Sequence, residues 1–195
     1  MTVRHLYLLA LLFSLVWPVT AGASTPKQDI SGTVDNILVV LRNHELSAEQ
    51  RREQLSNLIR QRFEFTVMSR STLGKNWRKA STEQRQEFMK LFSDLLEATY
   101  LGRIESYTNE QVLYGEEKVR GKKALVKTLI KTKTVEIPID YKLVRKENSW
   151  FVYDVVIEGV SLVRNFRSSY NSIVAREGFD GLFGKMRTKI AELRK

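Results

Sequence analysis

A chain of 195 residues with no cysteine and only two histidines excludes disulfides, zinc–thiolate centres and thiol catalysis, and leaves little from which to build a His-based triad. Lys and Arg outnumber Asp and Glu by 32 to 22, a formal charge of +10, which points either to an anionic partner or to a well-solvated basic face.

The first 23 residues read as a cleaved export signal. "MTVRH" carries one Arg, Leu6 to Trp17 is an apolar run, and Ala21-Gly22-Ala23 fits an A-x-A cleavage pattern. The apolar run is well short of the ~20 residues that a membrane span needs, and no cysteine follows it for lipid attachment. Residues 24–195 are then expected to form one domain, soluble in an exported compartment, of 172 residues and charge +9 once Arg4 has gone. Export shifts the anionic partner away from nucleic acid and toward a membrane surface or an acidic protein. Of the two histidines, only His44 then remains.

Helices come first. Val34, Ile37, Leu38 and Leu41 recur at helical spacing. "SAEQ" at Ser47–Gln50 is a capping box opening a helix with Leu55, Leu58, Ile59 and Phe63. A short segment ends at Gly74, and "STEQ" at Ser81–Gln84 opens the longest periodic stretch, from Phe88 to Tyr107. Gly102 is its weak point and a possible bend.

Four strands follow. Val112 and Tyr114 share a face of the first; Ala124, Val126, Thr128 and Ile130 alternate with Lys127 and Lys131 in the second. In the third, Val135, Ile137, Ile139, Tyr141 and Leu143 are expected to face inward, and Pro138 suggests an edge position or a bulge. The fourth sets Phe151, Tyr153, Val155 and Ile157 opposite Trp150, Val152, Asp154 and Val156. Short connections favour antiparallel hairpins. Two closing helices are expected, one from about Val160 to Gly178 and one from about Asp180, where Gly181 and Gly184 are poor helix formers. The fold class is α+β: a curled antiparallel sheet of about four strands with helices on one face.

Chemistry is sparse. Ser161 follows a strand, but Val163 stands where a nucleophile elbow needs glycine, so a capping hydroxyl is the better role. Asp154 and Glu158 straddle a strand end and make a poor acid–base pair. Wide apolar stripes remain, which are either filled core or the lining of a slot for an apolar ligand. Periodicity does not separate the two.

Two blocks carry a resemblance. Phe63-x-Phe65, Leu73-Gly74, Trp77-Arg78 and the Glu87-Phe88 to Phe92 run mark the first; Tyr141, Trp150-x-Val152-Tyr153-Asp154-Val155, Glu158-Gly159-Val160-Ser161-Leu162, Asn165-x-Arg167 and Gly178 mark the second. From Phe63 onward the chain resembles the MlaC family, the toluene-tolerance periplasmic phospholipid carriers, with an architecture similar to cystatin- and NTF2-like folds. The resemblance implies a non-enzymatic Gram-negative periplasmic protein, expected to be a monomer. It would shuttle phospholipid between an outer-membrane lipoprotein/porin complex and an inner-membrane ABC-transporter complex, and so maintain outer-membrane lipid asymmetry. It would need no cofactor beyond its phospholipid cargo, no metal and no stable membrane insertion. The lipid-contacting residues expected from the inward strand faces and helix stripes are Tyr107, Val126, Ile130, Ile139, Tyr141, Val155, Leu162, Val163, Phe166 and Tyr170, with Arg164 and Arg167 at the head group. The competing readings are an exported chaperone-like module for apolar peptide or lipoprotein segments, and a small enzyme of cystatin- or NTF2-like build.

Overall fold

A computed structural model describes residues 23–107 and 111–195; most of the expected export signal, residues 1–22, lies outside them. The chain opens with α1 (Pro26–Arg42) and α2 (Ala48–Arg62), then α3 (Phe65–Leu73), the short α4 (Asn76–Lys79) and α5 (Thr82–Glu105). Ser47 and Ser81 cap α2 and α5 in reciprocal boxes with Gln50 and Gln84, and Thr25 caps α1 in the same way with Gln28. Each box satisfies two backbone donors that the helix start would otherwise leave free. The α5 helix runs on through Gly102 without a break.

Strands β1 (Gln111–Arg120), β2 (Lys123–Lys131), β3 (Glu136–Lys146), β4 (Ser149–Ile157) and β5 (Val160–Ser161) form one antiparallel sheet in chain order. Its inner face buries Ala124, Val126, Ile130, Ile139 and Leu143 against the helices, while the lysines of β2 point outward. Helix α6 (Leu162–Leu193) closes the chain, with a kink at Gly178 where φ is 70°. A Cβ on Gly181 would stand 2.4 Å from the Glu177 Cβ, so the turn after the kink accepts only glycine there.

Four expectations change. Pro138 lies in β3, an interior strand. Its carbonyl accepts from Glu158 N–H at 3.0 Å, and since a residue's N and C=O face the same neighbour in an antiparallel ladder, the missing donor falls where β4 has already turned away. Val135 is 54% exposed in the turn before β3. In β4 the register slips between Lys142 and Leu143, pairing Lys142 with Asp154 but Leu143 with Val152. This bulge at Tyr153 turns both Val152 and Val155 inward, where simple alternation would oppose them. Finally, the chain does not pass directly from strand to helix after Gly159. A two-residue turn with positive φ at Glu158 and Gly159 folds it into β5 first, and Ser161 then caps α6.

Candidate functional site

Apolar packing is divided between two clusters. The larger joins the inner sheet face to α3, α5 and α6, and the smaller sets Val40 of α1 and Leu55 of α2 against Leu101 near the end of α5. Between them lies a cavity of about 380 Å³, within the ~300–1,000 Å³ usual for ligand pockets. The large cluster contributes Leu96, Ile130, Ile139, Val155 and Leu162 to its wall, and Ile37, Leu41 and Ile59 come from around the small one. The bulge at Tyr153 brings Val152 and Val155 to the same lining.

Helix α1 is pinned at its start. Asp29 accepts from the Trp150 backbone N–H at 2.7 Å, Arg62 donates to the Trp150 carbonyl at 2.7 Å, and Trp150 Nε1 donates to the Ser24 carbonyl at 3.1 Å. From Ile30 to Leu41 one face of the helix borders the cavity, with Val39 on the far side 66% exposed. Polar bonds join the Leu55–Leu101 contact in holding helix α2 to α5. Arg60 reaches Ser93 Oγ at 2.9 Å, Asp94 at 3.0 Å and Glu97 at 2.6 Å, and Ser56 donates to Glu97 at 2.8 Å. Burial works against the Arg60 charge and the Asp94 charge alike, but hydrogen bonds and opposite charges outweigh it: Asp94 and Glu97 hold Arg60 more basic than usual, and Arg60 with Lys90 holds Asp94 more acidic. This seam borders the cavity through Ser56, Arg60, Ser93 and Glu97.

Of the residues expected to touch an apolar ligand, Tyr107, Ile130, Ile139, Tyr141, Val155 and Leu162 border the cavity. Burial pushes the Tyr141 hydroxyl up to about 12, and that of neighbouring Tyr114 to about 12. Val126, Val163, Phe166 and Tyr170 lie instead in or against the packed core. Phe166 and Tyr170 meet Phe92 edge-on at 5.4 and 6.4 Å, and Tyr170 meets Phe88 at 5.9 Å, so aromatic packing fills the space between α5 and α6. Arg167 donates to the Ser71 carbonyl, and Arg164 is exposed on α6; neither borders the cavity. The cations that do are Arg60, Arg62 and Arg103. Their helical positions were visible in sequence, but nothing marked them as facing a cavity. Ser161 is committed to structure, donating to Asp154 at 2.7 Å and accepting from Arg164 N–H at 3.1 Å. Asp154 also takes Val163 N–H at 3.1 Å and Lys142 at 2.8 Å. Among the described residues no three His, Cys, Asp or Glu side chains gather as a metal site would require.

An open antiparallel sheet with an apolar cavity between it and the helices defines the class: an α+β protein with a cavity walled chiefly by aliphatic side chains. The family model described as "MlaC protein" matches residues 31–188, and the chain belongs to the MlaC family. Among its relatives, the "Intermembrane phospholipid transport system binding protein MlaC" of Haemophilus influenzae is 29% identical over 126 residues, 62% of this chain and 59% of that protein. The "Toluene tolerance protein ttg2D" of Pseudomonas putida is 24% identical over 184 residues, 91% and 84% of the two chains. The matched segment thus spans less than two thirds of the Haemophilus protein but most of the Pseudomonas one. A phospholipid-binding protein from Ralstonia solanacearum, solved in complex with a phospholipid, has the same fold: TM-score 0.80 at 24% identity, over 90% of this chain and all of that one.

Proposed function

We propose that this protein is a periplasmic phospholipid carrier, with the acyl chains held in the cavity between the sheet and helices α1, α2 and α5. The observation that carries this reading is the cavity itself, about 380 Å³ and walled chiefly by aliphatic side chains, in a chain of this family. The names of the Haemophilus and Ralstonia proteins, which refer to intermembrane phospholipid transport and to a bound phospholipid, support the choice of ligand. In this reading residues 1–23 are removed on export and residues 24–195 form a single monomeric carrier domain. It moves cargo between an outer-membrane complex and an inner-membrane ABC-transporter complex, and so maintains outer-membrane lipid asymmetry.

The energetics constrain such a carrier. Two acyl chains bring about 30 methylenes, whose exposure to water costs on the order of 24 kcal/mol at ~0.8 kcal/mol each. Release into bulk water is therefore negligible, and transfer has to occur in a docked complex where the chains pass between apolar surroundings. Basic side chains would aid docking at an anionic surface by ~1 kcal/mol each.

Native mass spectrometry of the exported protein, followed by solvent extraction, tests the proposal. The expected result is one complement of phospholipid per chain. A chain that emerges empty and takes up no phospholipid from vesicles would overturn it, and capture of extended apolar peptides instead would mark a chaperone.

A further inference from the structure

We infer that Arg103 is the residue that recognises the lipid phosphate, and so makes the cavity selective for phospholipids over uncharged lipids with the same chains. The inference rests on the carrier reading and goes further by assigning the head-group contact.

An apolar cavity takes acyl chains, but a phosphodiester cannot follow them without losing its hydration. It must stay at the boundary, where a guanidinium supplies paired N–H donors suited to phosphate oxygens. The charged residues on the cavity wall are Arg60, Arg62, Glu97, Arg103 and Glu158. Arg60 already holds Asp94 and Glu97. Arg62 donates to Thr33 Oγ1 and the Trp150 carbonyl, and lies 3.5 Å from Asp29. Glu97 and Glu158 would repel the ligand.

Arg103 differs from all of these. It is exposed, borders the cavity, and has neither a carboxylate partner nor a side-chain hydrogen bond among the described residues. Its guanidinium lies over the Tyr100 ring, 5.8 Å from guanidinium carbon to ring centroid. That contact orients the side chain beside another cavity-wall residue while leaving its N–H donors without an oxygen acceptor. A cation in the last turn of α5 also favours the helix dipole by a few tenths of a kcal/mol, so a stability measurement alone does not distinguish the two roles. Lipid-class selectivity does.

The test uses delipidated full-length chain offered equal amounts of phosphatidylglycerol and diacylglycerol with identical acyl chains, with the bound species counted by native mass spectrometry. Wild type is expected to favour phosphatidylglycerol by about tenfold, the low end for a charge-assisted contact at an exposed site. Arg103→Ala and Arg103→Glu should abolish the preference, with phosphatidylglycerol loading falling about tenfold relative to diacylglycerol loading. Arg103→Lys should retain part of it, and Arg164→Ala, off the cavity, all of it. A preference that survives Arg103→Glu, a parallel fall in both lipids, or its loss in Arg164→Ala would each overturn the assignment. Equal loading of the two lipids by wild type overturns this inference alone; loading of neither overturns the carrier reading as well.

Discussion

Ile139 sits in the third strand of the sheet, 9% exposed, with its side chain on the cavity wall. Replacing it with Trp adds about six non-hydrogen atoms on that wall, and Trp is a large but tolerable payload where space already exists. Each methylene displaced from an acyl chain forfeits ~0.8 kcal/mol, so the upper bound on lost lipid binding is about 5 kcal/mol, or over a thousandfold. The acyl chains can reroute, which makes a tenfold to hundredfold loss the working expectation. Folding stability should change little, because the indole enters a void. Val126 provides the contrast: it lies two residues away across the pairing with Tyr141, is 0% exposed, and is not part of this cavity's wall. Val126→Trp overpacks the core and should cost at least ~1–3 kcal/mol of stability. The assay equilibrates labelled phospholipid between protein and excess vesicles, alongside urea unfolding of the delipidated chains. If Ile139→Trp retained lipid like wild type at unchanged stability, the cavity would not be the acyl site.

Three further outcomes concern stability. Asp94 has a folded-state carboxyl held below its reference value of 3.8, so its contribution is present above that value and is lost as pH falls through the lower folded one. Asp94→Asn should flatten the acid limb by less than about 1 kcal/mol, since the pair with Arg60 is partly solvated; an unchanged limb in urea melts between pH 5 and 2 would refute this. Tyr141, raised from 10.0 to about 12, contributes stability that is full below pH 10 and falls as pH rises toward 12, because the unfolded chain ionises first. Tyr141→Phe should remove a loss on the order of 2–3 kcal/mol across that window, read from denaturation midpoints at pH 9 and above. Asp154→Ala strands Ser161, Val163 N–H and Lys142 together and should cost about 3–5 kcal/mol in equilibrium unfolding; a loss under 1 kcal/mol would mean that the β4–α6 junction does not depend on it.

Much of the fold was legible because its signals are local. The capping boxes at Ser47 and Ser81 open α2 and α5, and the box at Thr25 has the same T-x-x-Q form. The alternation in β2 puts Ala124, Val126, Thr128 and Ile130 on the buried face. Pro138 and Tyr153 depart from their local signals because of partners in or just beyond a neighbouring strand. Pro138 reads as an edge residue until the end of β4 is placed beside it. Tyr153 reads as one more alternating position until its mismatch with β3 makes it a bulge.

The amino-acid order by itself determined the starts of α2 and α5, the buried face of β2, the absence of thiol chemistry and, through its two motif blocks, the family. Only the tertiary structure decided which apolar residues enclose space. Phe166 and Tyr170 carry the same periodic signal as Leu162, yet rings from α5 fill the space beside them, whereas Leu162 faces the gap between two clusters. Hydrophobic periodicity records that a side chain leaves water. Whether it meets a neighbour or a void depends on how far apart α1, α2, α5 and the sheet are held. The polar ties of Trp150, and those of Arg60 to α5, contribute to that spacing and link residues 33 or more positions apart.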